Sequence, residues 1–398
     1  MNKFIKNLMG LVAALVMAGG LSPVLAQTAA TPAPTAAATP APPAVVIDGM
    51  VEGYYSYNWT NAGNNLSGHG NAGYFYDGVD GGYQLGLAEL KATATQGLAS
   101  GHIVLAYGQE GGLGIGTGTY NAATGVVTGS PAFDVEQAYV SYAPGLFTLS
   151  AGRFVTWMGN EVIETTGNWN VSRSLLFNYT IPLWHQGVSV AYAPDSTIKF
   201  TGYATDGWNN APALAQVSSE TFGLQLAWTP NSVWSVTVQG IDGPGSTALM
   251  AAASSRYIGE AIVGFNAASD LSFALDAEVG GADGVGNADF WGADLYAKLA
   301  LSSDYSAALR LEEVADNDDS LGLYGVGTAF ATGNKVEGRD ATLTITHNLT
   351  AAFTVSLEGR YDYVVYNGTV PARYAVGNPF SNGSADQLTT TLDTAIVF

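Results

Sequence analysis

The residues best placed to act on a solute lie in one stretch of mixed charge. Residues 156–186 carry Glu161 and Glu164, with Arg173 farther along and Arg153 just ahead of the stretch. Acids facing bases across a narrow passage set up a transverse field, which sorts ions and orients polar solutes. The same stretch holds Trp157, Trp169, Phe177 and Trp184. Long structured loops in compact folds are usually functional. The favoured reading is a segment folded inward to constrict a channel, with Glu161 and Glu164 as its acidic side and Arg153 or Arg173 as its basic side. The plainer reading is an outer loop packed on its own aromatics. Arg153 resists strict alternation, because it shares the parity of Phe147 and Leu149. Either a bulge re-aims it or it lies beyond the apolar band.

Bond-making chemistry finds less support. His69, His102, His185 and His347 are widely spaced and lack the pairing of metal ligands. Cysteine is absent, which removes thiol catalysis, disulfides and Cys-ligated zinc. Ser172 near His185 is the one local pairing of a nucleophile with a base, and a long polar chain offers many such coincidences. The glycine run 112–118 has no following helix signal that would make it a phosphate loop. Residues 316–319 gather acids without the spacing or closing Glu of an EF-hand. No catalytic residue, metal or cofactor is expected.

The elements that must position these residues are strands. In 353–363, Phe353, Val355, Leu357, Tyr361 and Tyr363 alternate with Thr354, Ser356, Glu358, Arg360 and Asp362. In 271–279, Leu271, Phe273, Leu275 and Val279 alternate with Ser272, Ala274, Asp276 and Glu278. That is the period of a strand, not of a helix. Seven short turns, such as 229–232 and 302–304, alternate with eight long polar segments, the asymmetry of a transmembrane barrel. The expected fold is therefore all-β: one antiparallel transmembrane β-barrel of about sixteen strands, 14–18 by the spread in turn assignment. If the apolar parity faces lipid, the other parity meets pore water. That set holds Lys199, Asp276, Glu278, Asp294, Lys298, Arg310, Glu312, Glu358, Arg360, Asp362 and Asp393. A charge on the lipid side would cost several kcal/mol (about 2–4 for Arg or Lys at the midplane), so these residues fix the register.

Composition agrees. Of 398 residues 47% are hydrophobic but only 12% charged, with 50 Gly and 21 Tyr, unlike a helical enzyme. Net charge is −20, from 33 acids against 13 bases, which argues against nucleic acid and for cations. Lys3 and Lys6, the apolar run 8–18 and Val24-Leu25-Ala26 form a secretory signal over 1–26, and the apolar run is too short for an anchor. Residues 27–44 are an Ala/Pro/Thr-rich periplasmic leader, and 45–398 form the barrel.

Trp228 and Trp234 flank a short turn, and Tyr361 and Tyr363 sit near the other end of their strand, where two interfacial girdles would lie. The final strand ends at Phe398, which resembles the carboxy-terminal signal by which outer-membrane barrels are recognised for assembly. Gly152-Arg153, Gly159-Asn160-Glu161, 170–174 (NVSRS) and 182–187 resemble the putative β-barrel porin-2 (OmpL-like) family. Asp206-Gly207-Trp208-Asn209 is similar to that family's Asn-Gly-Trp signature, with Asp in place of Asn. The resemblance implies an outer-membrane barrel with porin activity and no catalytic residues. The expected activity is passive diffusion of small hydrophilic solutes with a cation preference. A sugar-type selective channel using Trp157, Trp169 and Tyr179 stays open, as does a non-conducting adhesin or structural anchor. Expected partners are outer-membrane lipid, lipopolysaccharide and the barrel-assembly machinery, with a homotrimer left open.

Overall fold

The computed structural model describes residues 42–61, 71, 74, 76–108, 119–121, 126–128, 132–209, 220–243, 255–283, 288–317, 321, 323, 335–367 and 386–398. The expected signal peptide and nearly all of the leader lie outside these residues. So do His69, the glycine run 112–118 and residues 318–319 of the acidic run.

Strands follow wherever the sequence alternates. They are β1 (Ala44–Asn58), β2 (Gly82–Gln96), β3 (Ala99–Gly108), β4 (Thr119–Asn121), β5 (Val126–Thr128) and β6 (Ala132–Tyr142). Next come β7 (Phe147–Val155), β8 (Trp184–Tyr192), β9 (Ile198–Thr205), β10 (Thr221–Trp228), β11 (Trp234–Gly243) and β12 (Ser255–Asn266). The last six are β13 (Leu271–Asp283), β14 (Ala288–Ala300), β15 (Tyr305–Asn317), β16 (Lys335–Asn348), β17 (Phe353–Asn367) and β18 (Asp386–Val397). β4 and β5 pair only with each other, while the other sixteen close into one barrel of antiparallel neighbours. Closure leaves no strand edge to face hydrocarbon with unpaired amides.

On strands such as β16, β17 and β18 the two faces separate cleanly. On β17, Leu357, Tyr361 and Tyr363 are exposed on the outer wall, while Glu358, Arg360 and Asp362 are buried inside. Trp228 and Trp234 likewise stand exposed on either side of their short turn. An outer surface this apolar is stable only against lipid. Among the described residues, no helix is long and apolar enough to cross a membrane.

The barrel closes at the β1–β18 seam. Gly49 N–H donates to the Phe398 carbonyl and Phe398 N–H to the Gly49 carbonyl, each at 2.9 Å. Gly49 is small for a reason. A Cβ there would lie 2.5 Å from the Glu89 carbonyl oxygen and 2.9 Å from the Phe398 ring. A Gly49→Val barrel is expected to lose about 1–3 kcal/mol through overpacking at the seam. Denaturant unfolding of the refolded protein, read by heat-modifiable gel mobility, measures the loss.

Candidate functional site

Inside the barrel, the pleat stacks charged residues strand by strand. In register across the wall stand Asp276, Asp294, Glu312, Asp340 and Asp362, one on each of β13 to β17. Two residues along the same strands runs a second row: Tyr296, Arg310, Thr342 and Arg360. Like charges directly opposite one another are destabilising, so the acidic row needs donors from elsewhere. Arg310 and Arg360 supply some. Arg310 reaches Asp340 at 3.1 Å, and Arg360 reaches Asp340 at 3.3 Å and Asp362 at 2.7 Å.

The connection from β7 to β8, residues 156–183, supplies the rest. It folds into the barrel and offers its backbone amides to the wall. Gly159 N–H donates to both Glu260 oxygens at 3.0 Å, and Asn160 N–H to Asp276 at 3.2 Å. Val171 and Ser172 N–H donate to Glu358 at 2.7 and 3.0 Å. Leu175 and Leu176 N–H, at the start of a single π-helical turn, donate to Glu312 at 2.7 Å each. In the other direction, Arg310 donates to Ser172 O at 2.6 Å and Arg360 to Arg173 O at 2.7 Å. Hydrogen bonds with an ionised partner are roughly twice as strong as neutral ones.

Apolar side chains of the loop find sockets that only glycine leaves. A Cβ on Gly223 would stand 2.0 Å from the Trp157 ring, and one on Gly292 would stand 2.4 Å from Leu176. Trp157 stacks on Tyr203 with centroids 3.8 Å apart. Met158, Ile163, Leu175, Phe177 and Ile181 bury in the same cluster.

Each residue expected at a constriction has a definite place. Glu161 is buried and pairs with Arg310 at 2.9 Å. Glu164 is half-buried and pairs with Lys91 at 2.5 Å; Lys91 also holds Glu89 at 2.9 Å. Glu136 completes a group of three carboxylates with Glu89 and Glu164. Arg153 stands opposite Ala138, beside Gly152, whose φ is 139° although the β7 ladders continue through it without a register shift. Its guanidinium turns to Asp134 at 2.9 Å and over the Trp184 ring at 4.1 Å. Arg173 is 1% exposed and does not line an open passage. It clasps the carbonyls of Val162, Ile163 and Val171, and lies over Tyr76. Asp77, 3.8 Å from Arg173, has its carboxyl pushed well above the usual range by burial, against the pull of that guanidinium.

The wall residues point inward as alternation requires, but most are not bathed by pore water. Asp276, Glu278, Asp294, Arg310, Glu312, Glu358, Arg360, Asp362 and Asp393 are each at most 5% exposed. The expectation of hydrated charges is corrected for these nine, because a folded-in loop covers positions that alternation alone leaves open. Lys199 is exposed and Lys298 half-buried. Trp157 and Tyr179 are buried as well, so of the three aromatics considered for sugar stacking only Trp169 retains partial exposure. Ser172 takes Arg360 on its hydroxyl at 3.3 Å. The His185 ring contacts Thr156 at 3.2 Å and Gly207 O at 3.1 Å, so the two do not pair as nucleophile and base. Asp316 accepts from Leu321 N–H at 2.8 Å. Sequence reasoning missed Lys91, Glu89, Glu136, Glu260 and Asp340. Parity was the available signal, since Glu260 stands opposite Glu278, and Asp340 opposite Glu312 and Asp362.

A closed sixteen-strand barrel with lipid-facing apolar residues, inward charges and a loop folded within defines a pore-forming outer-membrane protein. The chain belongs to the family described as putative beta-barrel porin-2, OmpL-like, whose family model matches residues 44–398. No curated protein matches it in sequence. Among solved structures, its fold is similar to the outer-membrane channel DcaP of Acinetobacter baumannii, with TM-score 0.58 and 11% identity over 90% of this chain and 98% of that one. It is similar also to OmpT of Vibrio cholerae in its trimer form, with TM-score 0.54 and 11% identity over 90% of this chain and 100% of that one. A third is the anion-selective porin from Comamonas acidovorans, with TM-score 0.54 and 12% identity over 89% and 100%. The protein is an outer-membrane porin.

Arg310 is the best handle on the inward loop. Arg310→Ala removes the ion-pair partner of buried Glu161 and leaves Asp340 to Arg360, and is expected to cost about 3–5 kcal/mol. Arg339→Ala removes an exposed pair with Glu313 and should cost no more than about 1 kcal/mol. Chemical denaturation of both variants in the same detergent makes the comparison.

Proposed function

We propose that small hydrophilic solutes diffuse passively past the third loop, with a weak preference for cations. The observation that carries this reading is the group around Glu164. Three carboxylates (Glu89, Glu136 and Glu164) surround a single ammonium, Lys91, at the half-exposed end of the loop. A local acidic excess attracts cations and retards anions. The whole chain leans the same way, at −20. Lys199 and Lys298 on the inner wall temper the preference, which is why it is weak. Glu161, Arg153 and Arg173 belong in this reading to the frame of the passage, and Glu164 with Lys91 to its lining.

The partners in this reading are outer-membrane lipid and lipopolysaccharide around the apolar wall, and the barrel-assembly machinery reading the strand that ends at Phe398. Support for the last is the ring of Phe398, 65% exposed at the seam where the barrel closes. A homotrimer is the assembly proposed, on the analogy of the trimer form of OmpT of Vibrio cholerae. A second reading, a non-conducting surface protein, draws on the burial of nine inward charges by the loop.

Planar-bilayer recording separates these readings. Open channels with a cation-sided reversal potential in a KCl gradient are expected. Glu164→Gln should shift that potential toward zero, and Lys91→Met away from it. An anion-sided potential would overturn the preference, and silence at high protein load would favour the surface protein. For assembly, Phe398→Ser is expected to reduce the folded barrel in outer membranes several-fold. The single-channel conductance of what does assemble should be unchanged.

A further inference from the structure

Two groups of carboxylates in the barrel have donor atoms that all lie within 4.8 Å of one another: Glu89, Glu136 and Glu164, and Glu260, Asp276 and Glu278. They differ in what neutralises them. In the first, the Lys91 ammonium bonds two of the three acids. The second holds no lysine, and Arg256, whose charge acts on Glu278, makes no hydrogen bond to it. Arg256 spends its guanidinium on Thr180 O at 2.9 Å and Tyr179 O at 3.4 Å, with its plane over Trp208.

Each acid of the second group is at most 4% exposed. Glu260 is partly satisfied by Gly159 N–H and the Gln239 amide, and one Asp276 oxygen by Asn160 N–H. The other Asp276 oxygen and both oxygens of Glu278 accept no hydrogen bond. The Thr180 hydroxyl beside Glu278 donates instead to Leu176 O at 2.6 Å. Asp294, in register with Asp276, adds a further carboxylate with one oxygen unpartnered. A buried carboxylate without a donor is unstable unless it is paired, protonated or metal-bound.

We infer that Glu260, Asp276 and Glu278 form a binding site for a divalent cation of the calcium type, which clamps the Gly159–Asn160 corner of the third loop to the β12–β13 wall. Calcium takes about six to eight oxygens at roughly 2.3–2.6 Å, so ligands on opposite sides stand about 5 Å apart. The three ligand atoms, all within 4.8 Å of one another, can sit inside such a shell. Magnesium prefers an octahedron that keeps several of its waters, and an enclosed pocket gives those waters little room. The inference goes beyond the porin reading and does not depend on ion preference.

The test is metal retention by the full chain, refolded with calcium, freed of loose ions by gel filtration and counted by plasma mass spectrometry. One calcium per chain is expected, with an unfolding midpoint that drops when the chain is refolded in chelator. Glu278→Gln and Asp276→Asn should each lower retention at a fixed calcium activity at least tenfold. Glu164→Gln, in the lysine-neutralised group, should leave it unchanged. Gel mobility of the unheated sample certifies that each variant has folded. Two results would overturn the inference: no retained calcium in the wild-type chain, meaning that protons neutralise these acids, or equal retention in folded Glu278→Gln and Asp276→Asn chains. Should neither variant fold, a wild-type chain whose midpoint ignores calcium would overturn it as well.

Discussion

The structure turns on one exchange: inward carboxylates of the wall accept the backbone amides of the third loop. Neither side is stable alone. Across β13 to β17, five acids stand in register, and each repels the next. A loop run through the middle of a barrel would otherwise carry buried N–H groups with no acceptor, which folded proteins avoid. Glu260, Asp276, Glu312 and Glu358 take six of those amides, and two arginines donate to loop carbonyls in return. The six are Gly159, Asn160, Val171, Ser172, Leu175 and Leu176, while Ser174 N–H donates to the loop's own Glu161. The acidic row thus becomes a scaffold.

This arrangement divides the inner charges into two kinds. Those under the loop are structural. Their removal is felt as instability, because a buried partner is left without compensation. Glu164, within the loop, and its partner Lys91 on the wall are more open. In a sixteen-strand barrel the wall's own side chains do not fill the lumen, so the loop decides how much of it stays open. The glycines facing Trp157 and Leu176 belong to the same design, since they let loop side chains approach the wall backbone.

The third loop also explains why Ser172 and His185 do not form a catalytic pair. The two residues are close in sequence, but the loop carries Ser172 across the barrel to Arg360 on β17, while His185 stays on β8 beside Gly207. Separation along the chain says little about separation in space when the intervening segment crosses a lumen.

Alternation along the chain determined the strands, their number and which side of each faces lipid. The reason is that a one-residue slip would turn every charge on a strand toward hydrocarbon. That signal is local, so Leu357 outside and Glu358 inside could be read from their order alone. The mixed charge and aromatics of 156–186 also marked the segment that enters the barrel. Only the tertiary structure decided who meets whom. Glu161 lies far in sequence from Arg310, and Glu164 from Lys91, so nothing in their spacing pairs them. Glu260 opposite Glu278 depends on the register between β12 and β13, and the burial of the inner acids depends on where the loop lies. Those contacts follow from the closed shape of the barrel, which brings distant strands around one loop, and no periodicity records that.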